Sequence, residues 1–229
     1  MAKICIIPAR GGSKRIHRKN IKSFLGKPII AYSIEAALNS KLFDEVMVST
    51  DDEEIVAVAK KYGASVPFLR SAKTSNDFAS TYDVIAEVTH NYKEIGKEFD
   101  YTCCLYATAP FVTAVKLQSA FKKMDESETD AVFPVLEFSY PIQRGLHFEG
   151  NSLKMKRPEN LKKRSQDLEK MYHDSGQFYF FNTKKYLELV GVFNMNSTAI
   201  VVSQLEAQDI DSETDWKLAE LKMELMKKV

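Results

Sequence analysis

Short apolar runs alternate with amphipathic helical patterns along most of the chain. Continuous apolar runs bounded by turn residues predict buried strands, and apolar residues three and four apart predict helices. The runs that predict strands span residues 4–8, 46–49, 66–69, 102–106, 131–136, 177–182 and 198–202. This alternation predicts an α/β fold with a mostly parallel sheet covered on both faces, whose ligands bind at the carboxyl ends of the strands.

Capping residues and a proline mark where the intervening helices begin. They are Pro28, Asp51 or Asp52, Ser80 with Asp83, Thr113, and Ser212 with Asp215. Each Ser–Asp pair has the spacing of a capping box. Gly63 is placed where the second helix should end.

The alternation breaks between residues 137 and 172. Alternating residues, scattered prolines and the charge run Lys162-Lys163-Arg164 replace the earlier patterns there. A chain of 229 residues fits one domain. We therefore predict a single domain over residues 1–229, with a β-rich arm inserted at 137–172.

Composition excludes several classes of protein. A net charge of +1 favours neither a nucleic acid nor a membrane surface as partner. No apolar run approaches the ~18 residues of a membrane span, and no signal peptide is evident, so a cytoplasmic location is expected. Cys5, Cys103 and Cys104 lie in apolar runs, which favours buried thiols over disulfides or a zinc site.

A basic loop containing two glycines follows the first predicted strand. Gly11 and Gly12 allow the backbone to approach an anion closely, while Arg10 and Lys14 supply positive charge. The loop has neither the G-x-G-x-x-G spacing of a dinucleotide fold nor the ending of a P-loop. It is a candidate for binding a nucleoside triphosphate in another way, and a solvated basic turn is the alternative.

Two carboxylates near the C-terminus, Asp209 and Asp211, are two residues apart. In an extended segment they would point to the same side, and such oxygen ligands suit Mg²⁺ together with substrate phosphate oxygens. Taken alone, the triplet favours a surface turn before a capped helix. Combined with a basic phosphate-binding loop, it provides what nucleotidyl transfer requires.

Together these motifs resemble the cytidylyltransferases of nonulosonic (sialic-type) acids, over nearly the whole chain. The segments that carry the resemblance are residues 7–14, 18–20, 48–51, 77–81, 108–110 and 209–211. Four further segments are most similar to the branch that acts on pseudaminic acid: residues 103–110, 140–144, 164–168 and 172–180. The resemblance implies a three-layer, Rossmann-like nucleotidyltransferase fold.

The resemblance also implies roles for individual residues. On the nucleotide side it implies Arg10, Gly11, Gly12, Ser13, Asn20, Arg70 and Ser80. The glycine loop would hold the CTP phosphates, Arg70 and Ser80 would contact cytosine, and Lys19 would neutralise charge as pyrophosphate leaves. Asp209 and Asp211 would carry Mg²⁺, and Asp211 would help to deprotonate the anomeric hydroxyl that attacks the α-phosphate.

On the sugar side the chain departs from the sialic acid enzymes. The implied residues are Tyr106, Thr108, Gln143, Arg144, Arg164 and His173. The sialic acid enzymes have a glutamine at Tyr106, a lysine at Gln143 and an arginine at His173. Because the nucleotide side is kept, we expect the same reaction on a different acidic nine-carbon sugar, pseudaminic acid. Arg144 and Arg164 are the candidates to bind its carboxylate.

The arm at 137–172 matches the dimerisation arm of the family, so a homodimer is expected. The resemblance places the product in a bacterial surface glycan or in flagellin glycosylation. The alternative within the family is a synthetase for CMP-N-acetylneuraminic or CMP-legionaminic acid. A dinucleotide-dependent oxidoreductase is disfavoured by the missing glycine motif, and a non-catalytic RNA-binding module by the near-neutral charge.

Overall fold

The computed structural model describes residues 1–228, which are organised around a seven-stranded sheet. The strands in chain order are β1 (Lys3–Pro8), β2 (Ser23–Phe24), β3 (Lys27–Pro28), β4 (Glu45–Ser49), β5 (Tyr101–Leu105), β6 (Ala131–Glu137), β7 (Leu146–Glu149), β8 (Ser152–Met155), β9 (Tyr172–Asp174), β10 (Phe178–Asn182) and β11 (Ser197–Val201). β2 pairs with β3 and β7 with β8 in separate two-stranded ribbons. The central order is β11-β6-β10-β5-β1-β4, and β9 pairs with the far end of β6.

Most of the central strands run in one direction, as predicted. β1 is parallel to β4 and β5, and β6 is parallel to β11. β10 is antiparallel to both β5 and β6, and β9 is antiparallel to β6. β10 therefore joins two parallel groups of strands into one continuous sheet.

Helices cover both faces of the sheet, which confirms the three-layer α/β fold. The helices are α1 (Ile29–Ser40), α2 (Glu53–Lys61), α3 (Ala72–Ser75), α4 (Thr81–Glu94), α5 (Ala114–Glu126), α6 (Thr183–Leu189) and α7 (Glu213–Met226). α1, α2 and α5 share one core with Cys5 and Ile7, whereas α4 and α6 share a second core with Ile4 and Ile6. Alternate β1 residues thus face opposite layers, as the pleat requires.

The predicted helix starts are confirmed. The caps found at predicted positions are Pro28, Asp52, Ser80, Thr113 and Ser212. Both predicted capping boxes are complete, with reciprocal hydrogen bonds between the Ser and Asp residues. The short helix α6 was not predicted, because only Thr183 and Tyr186 of its seven residues are buried and its pattern is weak.

The strand predicted at residues 66–69 is wrong. Only the neighbouring Ser65 pairs with the sheet, through an isolated bridge to Met47. Pro67 has no N–H to donate to a ladder, so strand pairing cannot continue through it. The segment instead runs along the sheet edge to Arg70, whose N–H donates to Thr50 O at 2.8 Å.

The stretch at 137–172 contains the β7–β8 hairpin and short 3₁₀ turns, in agreement with its predicted β-rich character. Both strands of the hairpin are exposed along almost their whole length. The assignment of this stretch as an arm inserted into a single domain stays a prediction.

The expectations for cysteines and membrane spans can also be compared with the structure. Cys5, Cys103 and Cys104 are buried and free, as predicted. Within residues 1–228, every helix is too short or too polar to cross a membrane.

The segment that leads from β11 to α7 is held in place by Glu206. Its carboxylate accepts the N–H of Ser203 at 3.0 Å and pairs with Lys116 Nζ at 2.9 Å. Its backbone oxygen accepts a hydrogen bond from Gln177 Nε2 at 2.6 Å. Burial opposes ionisation of this carboxyl, but the Ser203 N–H and the Lys116 ammonium lower the pKa of Glu206 to about 2.

We expect Glu206→Gln to reduce the free energy of unfolding by about 2 kcal/mol at pH 7, because a charge-assisted hydrogen bond is lost. The folded pKa lies below the ordinary value, so this contribution is present above pH 4.5 and is lost as the pH falls towards 2. Urea unfolding at pH 7 and pH 3 measures it, with Glu224→Gln on the exposed side of α7 as the control. An equal loss at both pH values would contradict the role of the charge.

Candidate active site

A cavity of about 460 Å³ opens at the carboxyl ends of β1 and β5. Of the residues predicted for the site, those that line it are Arg10, Ser13, Lys19, Asn20, Arg70, Ser80, Tyr106 and Thr108. They come from the basic loop after β1, from the segment that leads into α4, and from the turn after β5. This edge is where parallel α/β sheets bind ligands, as the sequence predicted.

The basic loop meets the C-terminal carboxylates at one end of this cavity. Arg15 Nη2 lies 2.8 Å from Asp211 Oδ1, and Lys19 Nζ lies 3.4 Å from the same atom. Lys19 Nζ also donates to Ile210 O at 2.7 Å. Asn20 Nδ2 donates to Arg10 O at 2.9 Å, and this hydrogen bond joins the two ends of the loop. The predicted phosphate-binding and metal-binding motifs are therefore adjacent in space.

The two loop glycines occupy different surroundings. The N–H of Gly11 donates to Asp51 Oδ1 at 2.9 Å, so in this structure a carboxylate already accepts it. The cavity is lined by Arg10 and Ser13 on either side of the pair and not by Gly11 or Gly12 themselves. Their predicted contact with phosphates stays a prediction.

Asp77 forms ion pairs with two cations of the basic loop. Arg10 Nη1 donates to Asp77 Oδ1 at 2.8 Å and to Asn76 O at 3.0 Å, and Lys14 pairs with the other oxygen of Asp77. Lys14 and then Arg10 lower the pKa of Asp77, so the carboxylate is ionised at neutral pH. In the sequence Asp77 is only part of a segment that carries the family resemblance, and no local pattern indicates its pairing with Arg10 and Lys14.

Arg70 and Ser80 form the wall of the cavity opposite the loop. Arg70 is buried, and its guanidinium donates from Nε to Ser49 Oγ at 3.1 Å and from Nη2 to Ser49 O at 2.7 Å. Burial lowers the pKa of Arg70. Ser80 caps α4, so the positive end of that helix is directed at the same wall. A fixed cation and a helix start thus lie at this wall, and their predicted contact with cytosine stays a prediction.

Tyr106 separates this cavity from a second one of about 260 Å³. The two share Ser80, Thr81 and Tyr106, and the second is otherwise mainly aromatic, with Tyr82, Tyr179, Phe181, Tyr186 and Phe193 among its lining. The Tyr106 hydroxyl lies 3.2 Å from Thr81 Oγ1, and burial raises the pKa of Tyr106. This aromatic cavity was missed by the sequence analysis because its members come from four separate segments.

Asp209 lines a third cavity of about 480 Å³ together with His173 and Lys222. Partial burial and then the negative charge of Asp211 raise the pKa of Asp209. Among residues 1–228 no group of three or more His, Cys, Asp and Glu side chains is placed to hold a metal ion. Two carboxylates completed by substrate phosphate oxygens fit Mg²⁺, which seldom uses an all-protein cage.

The predicted sugar contacts of the 137–172 stretch do not reach these cavities within one chain. Buried Gln143 donates from Nε2 to Glu169 O at 2.7 Å. Arg144 Nη1 donates to Ser165 Oγ at 3.2 Å, and Arg164 Nε pairs with Asp167 at 2.7 Å.

His173 lies on β9 beside the third cavity. Its ring packs against Phe138 at 4.9 Å between centroids, and its Nδ1 lies 2.9 Å from Asp174 O. The structure therefore places His173 at the wall of a cavity that Asp209 also lines.

A family model described as cytidylyltransferase matches residues 4–224. The chain belongs to the cytidylyltransferase family. It is 46% identical over 222 residues to a pseudaminic acid cytidylyltransferase of Campylobacter jejuni, an alignment that covers 96% of each chain. It is 33% identical to a CMP-N,N'-diacetyllegionaminic acid synthase of Legionella pneumophila, over 97% of this chain and 96% of the relative.

A solved structure supports the fold of this cytidylyltransferase. It is a CMP:2-keto-3-deoxy-manno-octonic acid synthetase complexed with CTP, which covers 100% of both chains with a TM-score of 0.71. At 18% identity this likeness concerns the fold alone. The nucleotidyltransferase fold predicted from the sequence is thereby confirmed.

We expect Asp77→Asn to tighten the binding of CTP by about two- to fivefold, because a partly exposed carboxylate no longer competes with the phosphates for Arg10 and Lys14. Titration calorimetry of CTP measures the change, with Asp125→Asn on the exposed side of α5 as the control. Weaker binding in Asp77→Asn would mean that Asp77 holds the two cations in position instead.

Proposed function

We propose that this cytidylyltransferase transfers CMP from CTP to pseudaminic acid, uses Mg²⁺ and acts as a homodimer. The observation that carries the reaction is the meeting of Lys19 and Arg15 with Asp211 at the wall of the nucleotide-sized cavity. Cations for a triphosphate and a carboxylate for the attacking hydroxyl are then within reach of one phosphorus atom.

On the nucleotide side, Arg10, Lys14 and Lys19 would bind the phosphates, and buried Arg70 would contact the base. Charge neutralisation and alignment supply most of the catalysis in phosphoryl and nucleotidyl transfer, so fixed cations are the appropriate groups. Asp209 and Asp211 would hold Mg²⁺, which when bound neutralises phosphate charge.

In the proposed reaction, the anomeric oxygen of the sugar bonds to the α-phosphorus of CTP. The bond from that phosphorus to the bridging oxygen breaks, and pyrophosphate leaves with the electron pair. Asp211 is the proposed acceptor of the hydroxyl proton. Its carboxylate pairs with Arg15 and Lys19, which both line the cavity, and this contact supports the proposal.

The choice of sugar rests on Tyr106 and the aromatic cavity beside it. Pseudaminic acid carries two acylamino groups and fewer hydroxyls than N-acetylneuraminic acid. An apolar wall accepts such a sugar, whereas a site built to bond sugar hydroxyls would be left with unpaired polar groups. The higher identity to the pseudaminic acid relative than to the legionaminic acid relative supports the same choice. The legionaminic and N-acetylneuraminic acids are the alternatives within the family.

Parallel assays with three sugars test the function. We expect pyrophosphate release from CTP and Mg²⁺ with pseudaminic acid, little with N-acetylneuraminic or legionaminic acid, and none after chelation of the metal. Release with either other sugar alone would keep the reaction and refute the proposed substrate. Tyr106→Gln should change the ratio of kcat/KM between the sugars and leave the KM for CTP near that of the wild type.

The proposed homodimer rests on the exposed apolar side chains of the 137–172 stretch. Tyr140, Leu146, Phe148, Leu153 and Leu161 all lie largely in solvent in the single chain. Apolar patches of this kind mark protein interfaces, and a second copy would bring Arg144 and Arg164 towards the partner's site.

Sedimentation equilibrium tests this association. We expect a mass of twice 26.0 kDa at micromolar concentration, because the 137–172 stretch would otherwise leave its apolar surface in water. A monomer at that concentration, together with full activity, would refute the proposed dimer.

A further inference from the structure

Asp52 lies outside the nucleotide cavity, yet its carboxylate contacts the loop that forms one wall of it. As the N-cap of α2, Asp52 accepts the N–H groups of Glu54 at 3.0 Å and Ile55 at 3.1 Å. The same carboxylate forms a two-point ion pair with Arg18, in which Nη2 lies 2.9 Å from Oδ1 and Nη1 bonds to Oδ2. Both of its oxygens are therefore engaged, and its side chain is only 20% exposed.

The ion pair with Asp52 supports an unusual backbone conformation at Arg18. It has φ 53° and ψ 33°, a left-handed conformation that side-chain-bearing residues seldom adopt without support. Its carbonyl accepts the N–H groups of Ile21 at 3.0 Å and Lys22 at 2.9 Å, so it begins the 3₁₀ turn Lys19–Ile21. The direction of Lys19 and Asn20 into the cavity thus depends on Arg18.

The other end of the loop packs against the same carboxylate. A Cβ added to Gly11 would lie 2.6 Å from Asp52 Oδ2 and 3.0 Å from Asp52 Cβ. Real Cβ atoms essentially never show the first distance, and the second is tight. A Cβ added to Gly12 would meet nothing within 4 Å. The first glycine is therefore required by the close approach to Asp52, and the second is not required by any contact of the described residues.

We propose that Asp52 is a positioning residue for the triphosphate site, which holds both ends of the basic loop through its packing against Gly11 and its ion pair with Arg18. This inference rests on the proposed function only in that CTP is the ligand of the loop. The contact at Gly11 positions the nearby Arg10 and Ser13. The ion pair at Arg18 positions the following Lys19 and Asn20. Burial of the ion pair makes it stiffer than the exposed pairs of the surface.

Variants at these positions separate loop placement from helix capping. Asp52→Ser keeps a good N-cap for α2, removes the ion pair with Arg18 and removes the oxygen that lies 2.6 Å from a Cβ at Gly11. We expect Gly11→Ala to weaken CTP binding about tenfold, and Asp52→Ser to weaken it by a similar factor while the melting temperature stays near that of the wild type. Glu53→Ser, an exposed change in the first turn of the same helix, is the matched control and should bind CTP within about twofold of the wild type.

The double variant Gly11→Ala with Asp52→Ser gives the sharpest test. Because the shortest contact, at 2.6 Å, is gone once the carboxylate is removed, the double variant should bind CTP no more weakly than Asp52→Ser alone. Titration calorimetry with CTP and Mg²⁺, without sugar, measures all four proteins beside the wild type. In steady-state assays the loss should fall on the KM for CTP rather than on that for the sugar.

Three results would overturn the inference. Wild-type affinity in Asp52→Ser, additive losses in the double variant, or equal losses in Asp52→Ser and Glu53→Ser would each remove Asp52 from the placement of the loop. A wild-type protein that does not bind CTP would refute the proposed function and this inference together. Normal CTP affinity in every variant, with an active wild type, would refute this inference alone.

Discussion

β10 runs antiparallel between β5 and β6, and its pairing holds the two parallel parts of the sheet together. Directly before β10, Gln177 accepts the N–H of Tyr106 at 2.9 Å through its backbone oxygen and donates from its side chain to Glu206 O at 2.6 Å. One residue thus links the strand end at Tyr106 to the segment that leads to Asp209 and Asp211. If β10 were displaced, the nucleotide cavity and the C-terminal carboxylates would no longer be held in fixed positions relative to each other.

Charge is organised locally in this protein. With a net charge of +1, the chain has no overall field to attract CTP, and the basic loop supplies the positive potential alone. Each cation of the loop has an acidic partner: Arg10 and Lys14 have Asp77, Arg15 and Lys19 have Asp211, and Arg18 has Asp52. These pairs differ in burial. Phosphates can displace the exposed Asp77 at little cost in free energy, whereas the less exposed pair of Arg18 with Asp52 holds the loop in position.

The three cavities form a connected arrangement around the ends of β5 and β10. The nucleotide cavity and the aromatic cavity share Tyr106, and the Tyr179 hydroxyl bonds to Asp174, which lines the third cavity beside Asp209. A polar, cationic cavity therefore borders an aromatic one. This division is consistent with the proposed reaction, which joins a highly charged donor to a less polar acceptor.

Local patterns in the sequence were sufficient for most of the central strands and longer helices and for the candidate chemistry of the motifs. Apolar runs predicted the central strands, capping residues predicted five helix starts, and residues 9–20 and 209–211 predicted a phosphate loop and a carboxylate pair. Such features depend on residues close together in the chain, where propensity and side-chain spacing dominate. The strand predicted at 66–69 is wrong because Pro67 has no N–H to donate to a neighbouring strand, although the run is apolar.

The tertiary structure alone decided which motifs meet and which stay apart. Sequence spacing could not show that Asp211 contacts Lys19, that Asp77 neutralises Arg10, or that Asp52 excludes a side chain at Gly11. Nor could it show that Gln143, Arg144 and Arg164 lie away from the cavity of their own chain. These relations depend on strand order and on packing between distant segments, which local sequence patterns do not encode. The sequence therefore determined the fold class and the candidate groups for the reaction, and the arrangement of the sheet determined which of those groups meet.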